Sequence, residues 1–300
     1  MSPSSHSVAC ALCGGTCEAE AKFCPHCRSP ISSLRKGEDS LVGESLPGGW
    51  HLEERIGADA IARLFRATDP SGQSVIVRII HDHLIRNRTF SRGLSRAVEE
   101  ALRVKGPGVL RLLGAGATVL QGQARLYLLS ESFEGRNLCS IVQARGVLPV
   151  SQVFSTALDI LDALEDMHRQ GIVHGDILPE CILIGATEEG EVRAKVVNHV
   201  LGRLASVAIP RLACGGTASG TSRYMAPELA MGEPPSVFSD IYSFGAVLYQ
   251  MLTGIPPRRS SCCLLMERQW QKPVVPPSMV AKDRTISSAV DDVLLRALDR

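Results

Sequence analysis

The sequence lacks any apolar run near eighteen residues, so no membrane span is expected within it. Its N-terminus, Met1-Ser2-Pro3-Ser4-Ser5-His6, has neither the basic start nor the apolar stretch of a secretory leader, and a cytoplasmic location is expected. It also lacks a charge excess. The 32 Lys and Arg against 31 Asp and Glu leave a net charge of +1. That balance argues against bulk attraction to nucleic acid or anionic lipid. Aromatic residues are few, at 4%, but the 45% apolar fraction is ample for a packed core. A chain of 300 residues allows one large domain or two smaller ones. Cysteine is sparse over most of the length and crowded at the start, where Cys10, Cys13, Cys17, Cys24 and Cys27 fall in the first tenth.

Without a secretory leader, such a cluster points to metal binding rather than to disulfides. Cys10-Ala11-Leu12-Cys13 and Cys24-Pro25-His26-Cys27 are two CxxC turns separated by ten residues. Each turn brings two thiolates to one side, and the pair supplies a tetrahedron of sulfurs suited to Zn²⁺ at about 2.3 Å per bond. Gly14 and Gly15 follow the first turn, where backbone amides must rotate towards sulfur. A segment this short buries no core, so the metal must supply its folding energy. The pattern, with Phe23 before the second turn, resembles the zinc-ribbon family. Cys10, Cys13, Cys24 and Cys27 are the expected ligands of a structural zinc, with Cys17 spare and His26 facing solvent. Residues 1–30 are read as this ribbon and the polar stretch 31–49 as a linker.

From residue 50 to 300 the patterning changes. Strands are expected over 52–56, 62–68 and 74–80, the last two joined by the turn Asp69-Pro70-Ser71-Gly72. A helix over 88–105 follows, then strands over 109–116 and 125–130. After Ser151, Val153, Ala157, Ile160, Leu161, Leu164 and Met167 recur at three- and four-residue steps, which predicts a helix. Another helix is expected over 241–252, closed by Thr253-Gly254. The outline is an α+β fold, with a small β-rich lobe over about 50–130 and a larger helical lobe over about 135–300.

Three blocks name a family. Gly220-Thr221-Ser222-Arg223-Tyr224-Met225-Ala226-Pro227-Glu228 reads like the end of a kinase activation segment. Asp240-Ile241-Tyr242-Ser243-Phe244-Gly245 follows twelve residues after Glu228, like the helix whose aspartate anchors the catalytic loop. Leu126-Tyr127-Leu128-Leu129-Ser130-Glu131 looks like the strand entering the hinge. In these blocks and their order the chain resembles the bacterial Ser/Thr protein kinases. The resemblance implies a two-lobed kinase fold, whose last helix is missing beyond the helix at 291–300. It places adenine against Glu131 and Phe133, with Ser130 as gatekeeper. It makes His174, Glu228 and Asp240 structural residues of the helical lobe.

Phosphoryl transfer needs cradled phosphates, held Mg²⁺ and a positioned acceptor hydroxyl. Here the residues depart from the family. The phosphate loop, Gly57 to Leu64, keeps only its first glycine and carries Asp59. Arg78 stands for the lysine of the third strand. His174-Gly175-Asp176 keeps the catalytic aspartate, Asp176, but Leu178 replaces the phosphate-contacting lysine. Cys181 and Asn198 replace the two metal ligands, and a thiol is a poor ligand for Mg²⁺. The departures argue against ATP and Mg²⁺ as cofactors. They make the chain look like a pseudokinase that binds a protein partner, with nucleic acid an unlikely one. Asp176 and Arg78 leave two other readings: a working Ser/Thr kinase with atypical metal use, and a small-molecule phosphotransferase suggested by the His-Gly-Asp triplet.

Overall fold

The computed structural model describes residues 39–58, 61–86, 88–187, 190–197, 223–258, 272–283 and 285–299, and the backbone of 7–9 and 16–18. Strands β1 (Ser7–Ala9) and β2 (Thr16–Glu18) form an antiparallel hairpin with Val8 opposite Cys17. Cys10 and Cys13 follow β1 in the sequence. These two and Cys24 and Cys27 lie outside the described residues. The remaining described residues fall into two compact units. One holds those up to Arg103 with Leu110–Phe133; the other holds Val104–Val109 and those from Glu134 onward.

The first unit is a six-stranded sheet in the order β3-β4-β5-β6-β8-β7. Its strands are β3 (Ser45–Leu46), β4 (Trp50–Ala58), β5 (Ala62–Thr68), β6 (Ser74–Ile80), β7 (Leu112–Leu120) and β8 (Gln123–Glu131). In β6 the alternation is plain. Val75, Val77 and Ile79 are buried, while Ser74, Ile76 and Arg78 point to the other face and stay partly exposed. The buried set joins Leu52, Phe65, Ala67, Leu120, Tyr127 and Leu129 in one core. After the short α1 (Asp82–Ile85), helix α2 (Arg88–Arg103) buries Phe90, Leu94, Ala97 and Ala101, the i, i+4, i+7, i+11 stripe of an amphipathic helix.

The expected linker ends earlier than its polarity suggests. Residues 39–49 belong to this sheet: β3 pairs with β4, and Leu41 and Leu46 are buried in the core cluster. The strand expected at 109–116 is displaced as well. It runs Leu112–Leu120, turning into β8 through Gln121 and Gly122 at φ 50° and 73°. Val109 instead bridges Val196 in the other unit, together with the rest of 104–109.

The helical unit holds α3 (Leu138–Arg145), α4 (Val150–Arg169), α5 (Pro227–Ala230), α6 (Val237–Thr253), α7 (Pro277–Val280) and α8 (Ser288–Ala297). It also holds a small antiparallel sheet of β9 (Gly135–Asn137), β10 (Ile182–Ala186) and β11 (Val192–Val196). Helix α4 buries Val153, Ala157, Ile160, Leu164 and Met167 as the periodicity predicts, but Leu161 is exposed. Helix α6 is the buried centre of the unit. It starts one turn before the expected residue, because Ser236 and Ser239 form a capping box at its N-terminus. It ends at Gly254 in the left-handed conformation.

Candidate functional site

The residues that carry the expected chemistry converge on the loop 172–181, between α4 and β10. Its anchor is Asp240 on α6, which is 1% exposed. One carboxylate oxygen accepts the backbone N–H of His174 at 2.9 Å, and the other accepts that of Gly175 at 2.8 Å. The first oxygen also meets Nε2 of His168 on α4 at 2.8 Å. A buried carboxylate is tolerated when donors satisfy it, and three do so here. Gly175 lies at φ 76°, a left-handed conformation that glycine adopts without strain.

His174 is fully buried. Its Nε2 lies 3.0 Å from the carbonyl of Val197, and its Nδ1 accepts the N–H of Asp176 at 3.2 Å. One ring nitrogen therefore donates and the other accepts, which is the neutral tautomer. Burial lowers the His174 pKa first of all, in the same sense. The ring is a spacer holding the loop to the strand end at Val197, not a proton carrier.

Asp176 follows directly and is partly buried. Burial, then the charges of Glu180 and Asp240, push its pKa up to about 7. No cation answers it from the loop: the position two residues on is Leu178. Cys181 is buried in the 3₁₀ turn Pro179–Cys181, and its thiol is turned onto the backbone carbonyl of Asp176 at 3.5 Å. Its own carbonyl accepts the N–H of Val197 at 2.8 Å. Glu180, in the same turn, raises the thiol pKa of Cys139 after burial has done so. It acts likewise on Tyr224, whose hydroxyl donates to Gln250 at 2.6 Å.

His174, Asp176, Cys181 and Asp240 are thus brought together around one loop. Glu228 stands at the first turn of α5, partly buried, and Asn198 lies outside the described residues. The expected nucleotide-binding residues all fall in the β-rich unit. Gly57 is in β4 opposite Leu64, and Arg78 is in β6 opposite Leu128. Glu131 ends β8, where it exchanges backbone and side-chain hydrogen bonds with Arg111, and Phe133 follows. Sequence reasoning missed His168 and Glu180. Neither stands in a position that the motif reading singled out, although His168 recurs one helical turn after Leu164 on the face towards α6.

The sequence model of the family described as "Protein kinase domain" matches residues 50–299. The chain belongs to this family. Among curated relatives, this kinase domain is 29% identical over 253 residues to the probable serine/threonine-protein kinase PknB of Corynebacterium glutamicum, covering 83% of this chain and 38% of that one. It is 29% identical over 271 residues to the serine/threonine-protein kinase PksC of Streptomyces coelicolor, covering 88% of this chain and 48% of that one. The chain therefore spans less than half the length of the curated relatives it matches. Among solved structures, the kinase domain of Mycobacterium tuberculosis PknI shares the fold, with a TM-score of 0.64 at 22% identity over 87% of this chain and 91% of that one. The expected β-rich and helical lobes are those of the protein-kinase fold. Among the described residues, no helix is long and apolar enough to cross a membrane.

Proposed function

We propose that this kinase domain is a pseudokinase: a signalling or scaffolding module that engages a protein partner and does not transfer phosphate. The observation that carries this reading is the state of the loop after Asp176. A Mg²⁺ site needs hard oxygen ligands open to the ion. Cys181 offers a thiol, and that thiol faces a backbone carbonyl. Leu178 offers no charge to a phosphate. These residues do not fit Mg²⁺. Meanwhile the fold-supporting half of the machinery, Asp240 with His168, His174 and Gly175, is complete.

The test is a thermal melt with ATP, alone and with Mg²⁺ or Mn²⁺, followed by a transfer assay on protein substrates. Saturation at about a hundred times the dissociation constant stabilises by roughly 2.7 kcal/mol, which moves the melt by several degrees. No shift and no transfer are expected. A metal-dependent shift with transfer abolished by Asp176→Ala would overturn the reading. It would favour the second one, an active Ser/Thr protein kinase with atypical metal use. A specific observation supports that alternative: Asp176 is held in an anchored loop, and a carboxyl titrating near neutral pH is matched to general-base work.

The proposal extends to the N-terminal segment, where Cys10, Cys13, Cys24 and Cys27 would hold one structural zinc. The donor set supports it, since four thiolates at this spacing suit Zn²⁺ and leave no open position for catalysis. Metal analysis of the full chain is expected to find one zinc, lost in Cys10→Ser and Cys24→Ser and retained in Cys17→Ser.

A further inference from the structure

We propose that Asp39 is a positioning residue for the β4–β5 hairpin, so that a strap lying before the family-matched region fixes the two strand ends that flank the kinase phosphate loop. The carboxylate of Asp39 is 4% exposed. Both its oxygens accept Nη1 of Arg63, at 2.9 and 3.0 Å, and one lies 3.6 Å from Nη1 of the buried Arg55. Arg55 is on β4 and Arg63 on β5, so one side chain ties both strands of the hairpin. The ties lie at the root of the loop. Arg55 Nε donates to the carbonyl of Gly57 at 3.4 Å, and Ala58 is the last residue of β4. On the return, Arg63 is the second residue of β5, opposite Ala58.

The strap that presents Asp39 is itself fixed at several points. Leu41 is 1% exposed in the sheet core, and its N–H donates back to Asp39 at 3.1 Å. Ser40 and Gln121, at the β7–β8 turn, exchange two hydrogen bonds. Glu44 and Gly43 pair their backbones with Leu52 at 2.9 and 2.8 Å. Burial lowers the Arg55 pKa first, Asp39 opposes that, and Arg63 adds to it, so two guanidiniums share one buried anion. Removing one partner of a buried pair leaves the others uncompensated. Asp39 is thus an internal anion seated where two arginines converge at the base of a phosphate loop. The two strand ends at Ala58 and Arg63 are held by the protein's own carboxylate rather than by a ligand. This holds whether or not nucleotide binds, so it stands apart from the pseudokinase reading.

Hydrogen exchange followed by mass spectrometry on the full chain tests it, with β6 and β8 as internal references. Asp39→Asn is expected to raise exchange over 56–64 by about tenfold or more while β6 and β8 change little, which is local opening rather than global unfolding. Arg63→Gln, at the more exposed end, is expected to do the same and carries the test alone if Asp39→Asn does not fold. Leu41→Ala keeps the ion pairs and is expected to raise exchange across the whole sheet. If Asp39→Asn and Arg63→Gln instead give the uniform rise of Leu41→Ala, or leave 56–64 unchanged, Asp39 only stabilises the sheet and the proposal fails.

Discussion

Asp176 sits where burial and two neighbouring carboxylates disfavour its charged form. Its pKa is about 7 in the fold against an ordinary value of 3.8. The folded state therefore holds a proton that the unfolded chain has released between those two pH values. With more protons bound in the native state, stability falls as pH rises through this window. Asp176→Asn removes the penalty: above pH 7 its Tm is expected to exceed the parent's by several degrees, and near pH 4 the two are expected to coincide, at about 2–4 °C per kcal/mol. A pH series of melts checks it. The sequence alone identified Leu178 and Cys181 as losses, because each breaks a motif. It did not show that the Cys181 thiol turns onto the Asp176 carbonyl, since a side chain's direction within a loop has no sequence signal. The combined change Leu178→Lys, Cys181→Asn and Asn198→Asp restores a cation and two oxygen ligands. It is expected to give a larger Mg²⁺-dependent melt shift with ATP than the parent shows.

At the scale of elements, period two and period 3.6 made most of the fold legible. Strands β5 and β6 fall at the expected residues because both are short apolar-rich runs and the turn between them carries Asp69 and Gly72. Two elements were hidden by composition. Residues 39–49 are polar enough to read as linker, yet two leucines and one buried aspartate bind them into the sheet. Val109 is apolar enough to read as strand, yet its partner is Val196, far along the chain. Local pattern cannot report such distant pairings. Helix α6 was found by its apolar face, but its start was missed because Ser236 and Ser239 act through caps. Ser236→Ala breaks the capping box and is expected to cost about 1 kcal/mol, a Tm lower by about 2–4 °C, with the fold unchanged by circular dichroism. Asp240, in the first turn of the same helix, serves three donors from α4 and the loop. Asp240→Ala leaves those groups buried and unpaired and is expected to destabilise by about 3–5 kcal/mol, measured by urea unfolding.

At the scale of the molecule, the kinase resemblance was legible because the motifs that survive are those that hold a helical lobe together. The motifs for metal and phosphate were legible as departures from the family pattern, at Leu178, Cys181 and Asn198. The course of the chain was not legible at all. It leaves the β-rich unit after Arg103, contributes 104–109 to the helical unit, returns for Leu110–Phe133, and leaves again. The six detouring residues are firmly built in. Val104 and Val109 are buried, Val196 donates its N–H to the carbonyl of Gly108 at 2.8 Å, and a side chain at Gly108 would press on the carbonyl of Asp159. Split-protein designs inherit this topology. A reporter divided after Phe133 separates the two halves of the sequence but not the two units of the structure, because the first fragment carries away a piece that the second needs to close its core. The helical fragment from Glu134 should therefore refold only when the other fragment, or a peptide spanning 104–109, is supplied in trans.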